Sequence, residues 1–326
     1  MKLIYRSKGA HLNATEPAKL ARSVYCIGLV AVAIARAQTT EVVLRNFVTP
    51  PHDTIATAQH AILGGNGGVQ TEQPTGTNLE VPSISINSVV NGATNLVGPV
   101  APGEIVVLYG SSMGPTALVQ SHLNSAGLVD TQLAGTQVFF NSTPAPIIYT
   151  WATQVAAIVP YELSGSASAQ VKVTFQGQTS ASTTVRVAES APGLFTLDSS
   201  GKGTAAAFNE DGSINSVAHQ AAIGDIISLF ATGEGQTVPA GVDGKLANTP
   251  LPHPVLPVTV TIGGRTVKPL YAGGASGAVA GMMQINVQIP NFISWMGSTY
   301  DVPIVLQVGN TVSQAGVTIM VSPWDY

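Results

Sequence analysis

The sequence predicts an all-β chain: two tandem immunoglobulin-like β-sandwich units related by an internal repeat, preceded by a signal peptide and a flexible linker. Short runs such as VKVTF (171–175), TVRV (184–187), VTVTI (258–262) and INVQI (285–289) alternate apolar with polar residues. That alternation turns one face of a strand inward and the other toward solvent. Gly, Pro and Asn-Gly pairs punctuate the runs, and no stretch of a dozen residues keeps helical spacing. Finally, blocks of the first half recur in the second. Ile86-Asn-Ser-Val returns as Ile214-Asn-Ser-Val, GEIVVLYG (103–110) resembles GDIISLFATG (224–233), and Gln154 with Pro160 matches Gln284 with Pro290. The offsets are 128 for Ile86 and Ile214, 130 for the glutamines and 132 for Val185 against Val317, a drift that implies few insertions. The repeat is long enough for each copy to be a whole sandwich rather than one turn of a solenoid.

Residues 1–37 read as a signal peptide. Lys2, Arg6, Lys8, Lys19 and Arg22 lead into the uncharged run Ser23 to Ala35, and Ala35-Arg36-Ala37 fits a small-residue cleavage site. The run is shorter than the roughly 20 apolar residues a membrane span needs, so no transmembrane segment is expected once the signal is removed. The chain is read as exported: periplasmic, outer-surface or extracellular. Cys26, the only cysteine, leaves with the signal, and with it go disulfides, a thiol nucleophile and Cys-based zinc sites. Six of the 13 Lys and Arg residues and one of the 17 acids lie in 1–37, which leaves the remainder at −9. Nucleic-acid binding needs clustered cations to neutralise phosphates, so that class is discarded.

Residues 38–79 read as a linker, because GGNGG (64–68) and QTEQPTGTN offer no apolar periodicity. The first sandwich is assigned to 80–190, with about seven strands: Ile84–Val89, Ile105–Tyr109, Thr136–Phe140, Ala145–Tyr149, Val155–Val159, Gln170–Phe175 and Thr183–Val187. The second, 191–326, has Ala205–Phe208, Ile226–Phe230, Val258–Ile262, Arg265–Tyr271, Met283–Ile289, Val302–Val308 and Gly316–Val321. Ala191-Pro192-Gly193 marks the junction. Tyr109, Tyr149, Phe230 and Tyr271 hold matching places in the two copies and read as core.

The blocks VAPGEIVVLYGSSMGP, APIIYTWATQVAAIVPYEL, APGLF, DGSINSVAHQAAIGDIISLFATGEGQT, GMMQINVQIP and SQAGVTIMV follow one another over about 84–321. In that order they resemble the Solibacter-type C-terminal domain family of acidobacterial exported proteins. The first block is similar, more weakly, to IPT/TIG-type immunoglobulin-like domains. The resemblance implies architecture; the family supplies neither an established activity nor catalytic residues to carry over.

Candidate chemistry is sparse. Gly110-Ser111-Ser112-Met113-Gly114 matches G-x-S-x-G, a serine hydrolase elbow, but Pro115 and a polar stretch follow where a helix belongs. Glycines of a β-turn, free to take positive φ, explain the match better. Asn209-Glu210-Asp211-Gly212-Ser213 gathers oxygen ligands of the kind calcium takes, without EF-hand spacing, and reads as a hairpin turn. His52, His60, His122, His219 and His253 are scattered, so no metal site and no cofactor is expected. Trp151, Phe292, Trp295 and Tyr300 fall outside the strand alternation and form the candidate ligand-binding patch, since exposed rings stack on sugars.

These observations favour a non-catalytic exported structural or adhesive cell-surface module, rigid and without a pocket. A carbohydrate-binding module using the exposed aromatics is the alternative, and a serine hydrolase at Ser112 a third. The partner classes are a cell-surface polysaccharide or another exported protein.

Overall fold

A computed structural model describes residues 83–291 and 301–322. The signal peptide, the linker 38–79 and the candidate residues Phe292, Trp295 and Tyr300 lie outside the described residues. The first half runs β1 (Ser85–Asn91), β2 (Ile105–Ser111), β3 (Thr136–Phe140), β4 (Thr143–Ala145), β5 (Ile147–Thr150), β6 (Gln154–Ile158), β7 (Ser168–Phe175) and β8 (Thr183–Arg186). The second runs β9 (Ala207–Phe208), β10 (Ile226–Thr232), β11 (Val258–Ile262), β12 (Arg265–Val267), β13 (Tyr271–Gly274), β14 (Met283–Gln288), β15 (Asp301–Val308) and β16 (Val317–Ser322).

Each half is a sandwich of two sheets, and the pairing repeats. The order β1-β2-β6-β5 in the first half is answered by β9-β10-β14-β13 in the second, and β8-β7-β3-β4 by β16-β15-β11-β12. Pairing among these strands is antiparallel; the parallel contacts are short, Gly203–Thr204 and Ala221–Ala222 against β16 and the single bridge between Val100 and Val187. Alternation fills the space between the sheets. In β3, Val138 and Phe140 are buried while Gln137 and Phe139 are only partly covered, and the inward residues meet Leu108, Val155 and Val171. The second sandwich is filled the same way by Leu229, Ile285, Val260, Ile304 and Ile319. Burying each such side chain stabilises by about 1.5–3 kcal/mol.

Three segments expected as single strands instead cross between sheets. Ala145–Tyr149 splits at Pro146, which has no N–H for a ladder, so β4 and β5 lie in opposite sheets. Arg265–Tyr271 splits likewise around Pro269 into β12 and β13. In Ala205–Phe208 only Ala207 and Phe208 pair with β10, while Gly203 and Thr204 join β16 on the far sheet.

Register also corrects two of the repeat correspondences. Ile86 and Asn87 lie in β1, whereas Ile214 and Asn215 lie in an irregular segment where Asn215 is fully buried. The shared Ile-Asn-Ser-Val is therefore not a shared position. Val185 faces Ala169 as Ile319 faces Val302, so the repeat sets Val185 against Ile319 rather than Val317. The glutamines do correspond, since Gln154 faces Tyr109 and Gln284 faces Phe230. Between the tyrosines and these glutamines sits the main insertion. Gln284 follows Tyr271 by 13 positions where Gln154 follows Tyr149 by five, making the second connection eight residues longer.

That insertion fills a third apolar cluster, between the halves. Ala275, Ala278, Val279 and Met282 pack with Phe230 against Val90, Ile105, Val107, Ile148, Ala156 and Ile158. The first-half residues are the outward-facing set of β1, β2, β5 and β6, so these strands are apolar on both faces, as strands buried on both sides are. Tyr149 and Phe230 belong to this cluster and Tyr109 packs at its edge, so the matching aromatics sit on the outer sheet faces rather than inside the sandwiches. Phe230 meets Phe208 edge to face with ring centroids 6.0 Å apart.

Candidate functional site

Polar contacts tie the two halves together around the apolar cluster. The Ile105 N–H donates to Thr232 Oγ1 (2.8 Å), the Asn91 amide to the Ala191 carbonyl (3.0 Å), and the Asn95 amide to the Ser199 carbonyl (2.7 Å). Tyr161, in the short 3-10 turn Tyr161–Leu163 after β6, is held from both directions. Its N–H donates to Asp243 Oδ1 (2.9 Å) and its carbonyl accepts from the Gln236 amide (2.9 Å). Its ring lies against Gly103 and Gly241, where a Cβ at either position would strike it.

Two carboxyls are buried at this joint. Glu104 is wholly buried, with Oε2 accepting from the Ala101 N–H at 2.7 Å and Oε1 without a partner. Burial pushes its pKa up from 4.5 to about 8, and the Ala101 N–H and the Asn91 amide pull the other way without winning. The repeat explains its origin. Asp225 accepts from the Ala222 N–H at 2.7 Å in the second half, the same turn closed by the same three-residue step. There the carboxylate is partly exposed; in the first half it is buried, and its neighbours Gly103 and Ile105 meet Gly281 and Thr232 of the second half.

Glu234, just after β10, is the other. It is 1% exposed, its Oε2 has no partner, and burial pushes its pKa up to about 8. It lines a cavity of about 140 Å³ with Tyr161 from the first half and Thr237, Pro239, Pro250 and Pro252 from the second. Lys245 and Asn248, both exposed, stand on the same cavity. Burial, then the Glu234 charge, raises the Tyr271 hydroxyl to about 12, and burial with Glu234 and Asp243 raises that of Tyr161. A wider cleft of about 510 Å³ lies along the joint between Pro102, Ser164, Glu189 and Leu256.

The sequence-level candidates fare differently. Ser112 has φ +55 and is followed by the two-residue strand Val119–Gln120 rather than a helix, with Met113 fully buried behind it. The left-handed residue of this turn is thus the serine, not the glycines. Gly110 is required because a Cβ there would collide with the Ser85 carbonyl, and Gly114 because one would collide with Thr150 Oγ1. In the 209–213 turn, Asp211 accepts from the Ser213 N–H (2.8 Å) and hydroxyl (2.6 Å), and Glu210 from the Ile226 N–H (2.9 Å). Both carboxylates are committed to shaping the loop, and the Ser213 bonds hold Asp211 below the usual range. Among the described residues, no group of His, Cys, Asp and Glu is arranged to hold a metal. His122, His219 and His253 are exposed and separate. Trp151 is half-buried in the β5–β6 turn, its indole N–H donating to the Thr116 carbonyl at 2.7 Å. No helix among the described residues is long and apolar enough to cross a membrane.

No family model matches the chain. No curated protein matches it either. Solved structures do. The plexin A4 extracellular region is 11% identical, with 76% of this chain and 19% of that one covered at a TM-score of 0.25. SGBP-B of the Bacteroides ovatus mixed-linkage glucan utilization locus, solved with a heptasaccharide, is 12% identical over 69% of this chain and 43% of that one, TM-score 0.28. The gamma-CGTase of Alkalophilic bacillus clarkii is 14% identical over 73% and 26%, TM-score 0.23. This chain thus spans less than half the length of each of these three. With scores this low, neither architecture nor ligand is transferred from them; the sandwich assignment rests on the sheets themselves.

Proposed function

We propose that the chain is an exported, non-catalytic module that holds two β-sandwiches in one fixed orientation, as a structural or adhesive element of the cell surface. The signal-like leader supports export, and the resemblance of the ordered sequence blocks to the Solibacter-type family of exported proteins supports the same reading. The observation that carries the reading is the joint. An apolar cluster that both halves share, bounded by hydrogen bonds from Asn91, Asn95, Ile105 and Tyr161, is what a spacer needs and a flexible tether lacks. The Ser112 turn supports the non-catalytic part, because its neighbours are packed as a turn rather than as an elbow. The partner is another exported protein or a cell-surface polysaccharide.

The test is a distance measurement. Spin labels on Thr179→Cys and Val312→Cys, one in each half, in a Cys26→Ser background, are expected to give one narrow distance distribution. A broad distribution would mean the halves move independently and would sink the proposal. Labelling of the chain by a fluorophosphonate, lost in Ser112→Ala, would overturn its non-catalytic part.

A further inference from the structure

A rigid module without a pocket is the expectation from the sequence, yet the joint holds a cavity lined in part by Glu234, a buried residue whose Oε2 has no partner. Such a group is costly to leave unsatisfied. Its cost is removed when something in the cavity bonds to it. We propose that the cavity between Tyr161 and the 234–252 segment binds one neutral, hydroxyl-rich ring, a sugar residue, held by the Glu234 carboxyl.

Size, charge and lining converge on that class. At roughly 30 Å³ per water in the liquid, a cavity of about 140 Å³ holds about five waters, enough to seat one face of a single sugar ring with its far edge at the exposed rim of Lys245 and Asn248. The walls are the Tyr161 ring and the apolar faces of Pro239, Pro250 and Pro252, which suit the C–H face of a pyranose. Glu234, kept protonated by its burial, offers one O–H donor and an acceptor together, the complement of a hydroxyl, which also does both. At the cavity edge Asn248 again offers donor and acceptor. A cationic ligand would meet the Lys245 ammonium, and an anion would meet Glu234 as it ionised. A neutral polyol avoids both. Trp151, the described member of the aromatic patch read from the sequence, lies elsewhere, in the β5–β6 turn, and is not part of this lining. It stands apart from the spacer role, because the joint would remain rigid with the cavity filled by water.

The experiment titrates isotope-labelled full-length chain with glucose, galactose, N-acetylglucosamine, maltose, lactose and chitobiose, with methylammonium and acetate as charged controls. Amide resonances of Gly235, Thr237, Gly241 and Lys245 are followed. At least one neutral sugar is expected to shift them saturably in the millimolar range. A disaccharide binding more tightly than its monomer would identify a chain end as the ligand, and equal binding a free sugar. Glu234→Leu should abolish the shifts and Glu234→Gln, which keeps donor and acceptor, should retain them. If Glu234→Leu does not fold, Asn248→Ala at the exposed edge should weaken binding several-fold. Shifts with methylammonium or acetate at these amides, shifts untouched by both Glu234→Leu and Asn248→Ala, or no saturable shift with any sugar would overturn the proposal.

Discussion

Replacing Glu104 by glutamine should flatten the dependence of stability on pH, and the size of the change follows from burial. The folded-state pKa of about 8 lies above the ordinary 4.5. Below the lower value both folded and unfolded chains hold the proton, and the group is indifferent to pH. Between the two values the unfolded chain releases it while the folded chain keeps it, so stability falls as pH rises, by about 1.4 kcal/mol per unit. Above the upper value the loss is complete, at about 5 kcal/mol over the whole window. Glutamine can still accept the Ala101 N–H but leaves its own amide hydrogens unpartnered where Oε1 was, at about 1–3 kcal/mol. The variant should therefore be less stable than the parent near pH 5 and more stable near pH 8.5, with the two curves crossing between. Urea unfolding at a series of pH values reads this directly. Glu234 adds a second slope of the same sign to both proteins and does not disturb the difference. Parallel curves would refute the reasoning, because they would mean Glu104 ionises as freely in the folded chain as in the unfolded one.

The remaining expectations concern packing. Because the halves share an apolar cluster, the described region should melt in one calorimetric transition, and Val107→Asp, which puts a carboxylate into that cluster, should split it into two. Ser112→Gly should stabilise by about 1 kcal/mol by relieving the left-handed backbone, whereas Gly110→Ala should cost about 1–3 kcal/mol or more against the Ser85 carbonyl. Asn215→Ala should cost about 3 kcal/mol, since Asn215 both donates to the Met320 carbonyl and accepts from its N–H inside the second sandwich; a shift in urea midpoint smaller than about 1 kcal/mol would contradict that.

The strands were legible where they alternate. VTVTI and VKVTF carry their burial pattern in their letters, and each lies in the strand expected. Crossings between sheets were not legible, because a proline inside an apolar run shows a missing N–H but not that the chain leaves its sheet there. Repeat register failed where identity misled: the same four letters serve a strand at 86–89 and, at 214–217, an irregular segment that buries Asn215 and exposes Val217. Of the site, neither Glu104 nor Glu234 could be told from a turn carboxylate. Glu104 sits where Asp225 sits in the other copy, with the same turn bond, yet one is buried and the other partly exposed, a difference the turn residues themselves do not encode.

A signal for the joint was nonetheless present. GEIVVLYG and QVAAIVP do not alternate, whereas their counterparts GDIISLF and QINVQIP interrupt the apolar run with Ser228, Asn286 and Gln288. A sheet exposed on one side tolerates polar residues there, and a sheet covered on both cannot. The difference between the copies thus marks the first half as the one whose outer face is covered, and the longer connection at 275–282 in the second half supplies the cover. Two sandwiches related by sequence are in this way unlike in exposure. The first has no complete surface without the second, and the divergence between repeats, more than their likeness, is what joins the two halves through a shared apolar cluster.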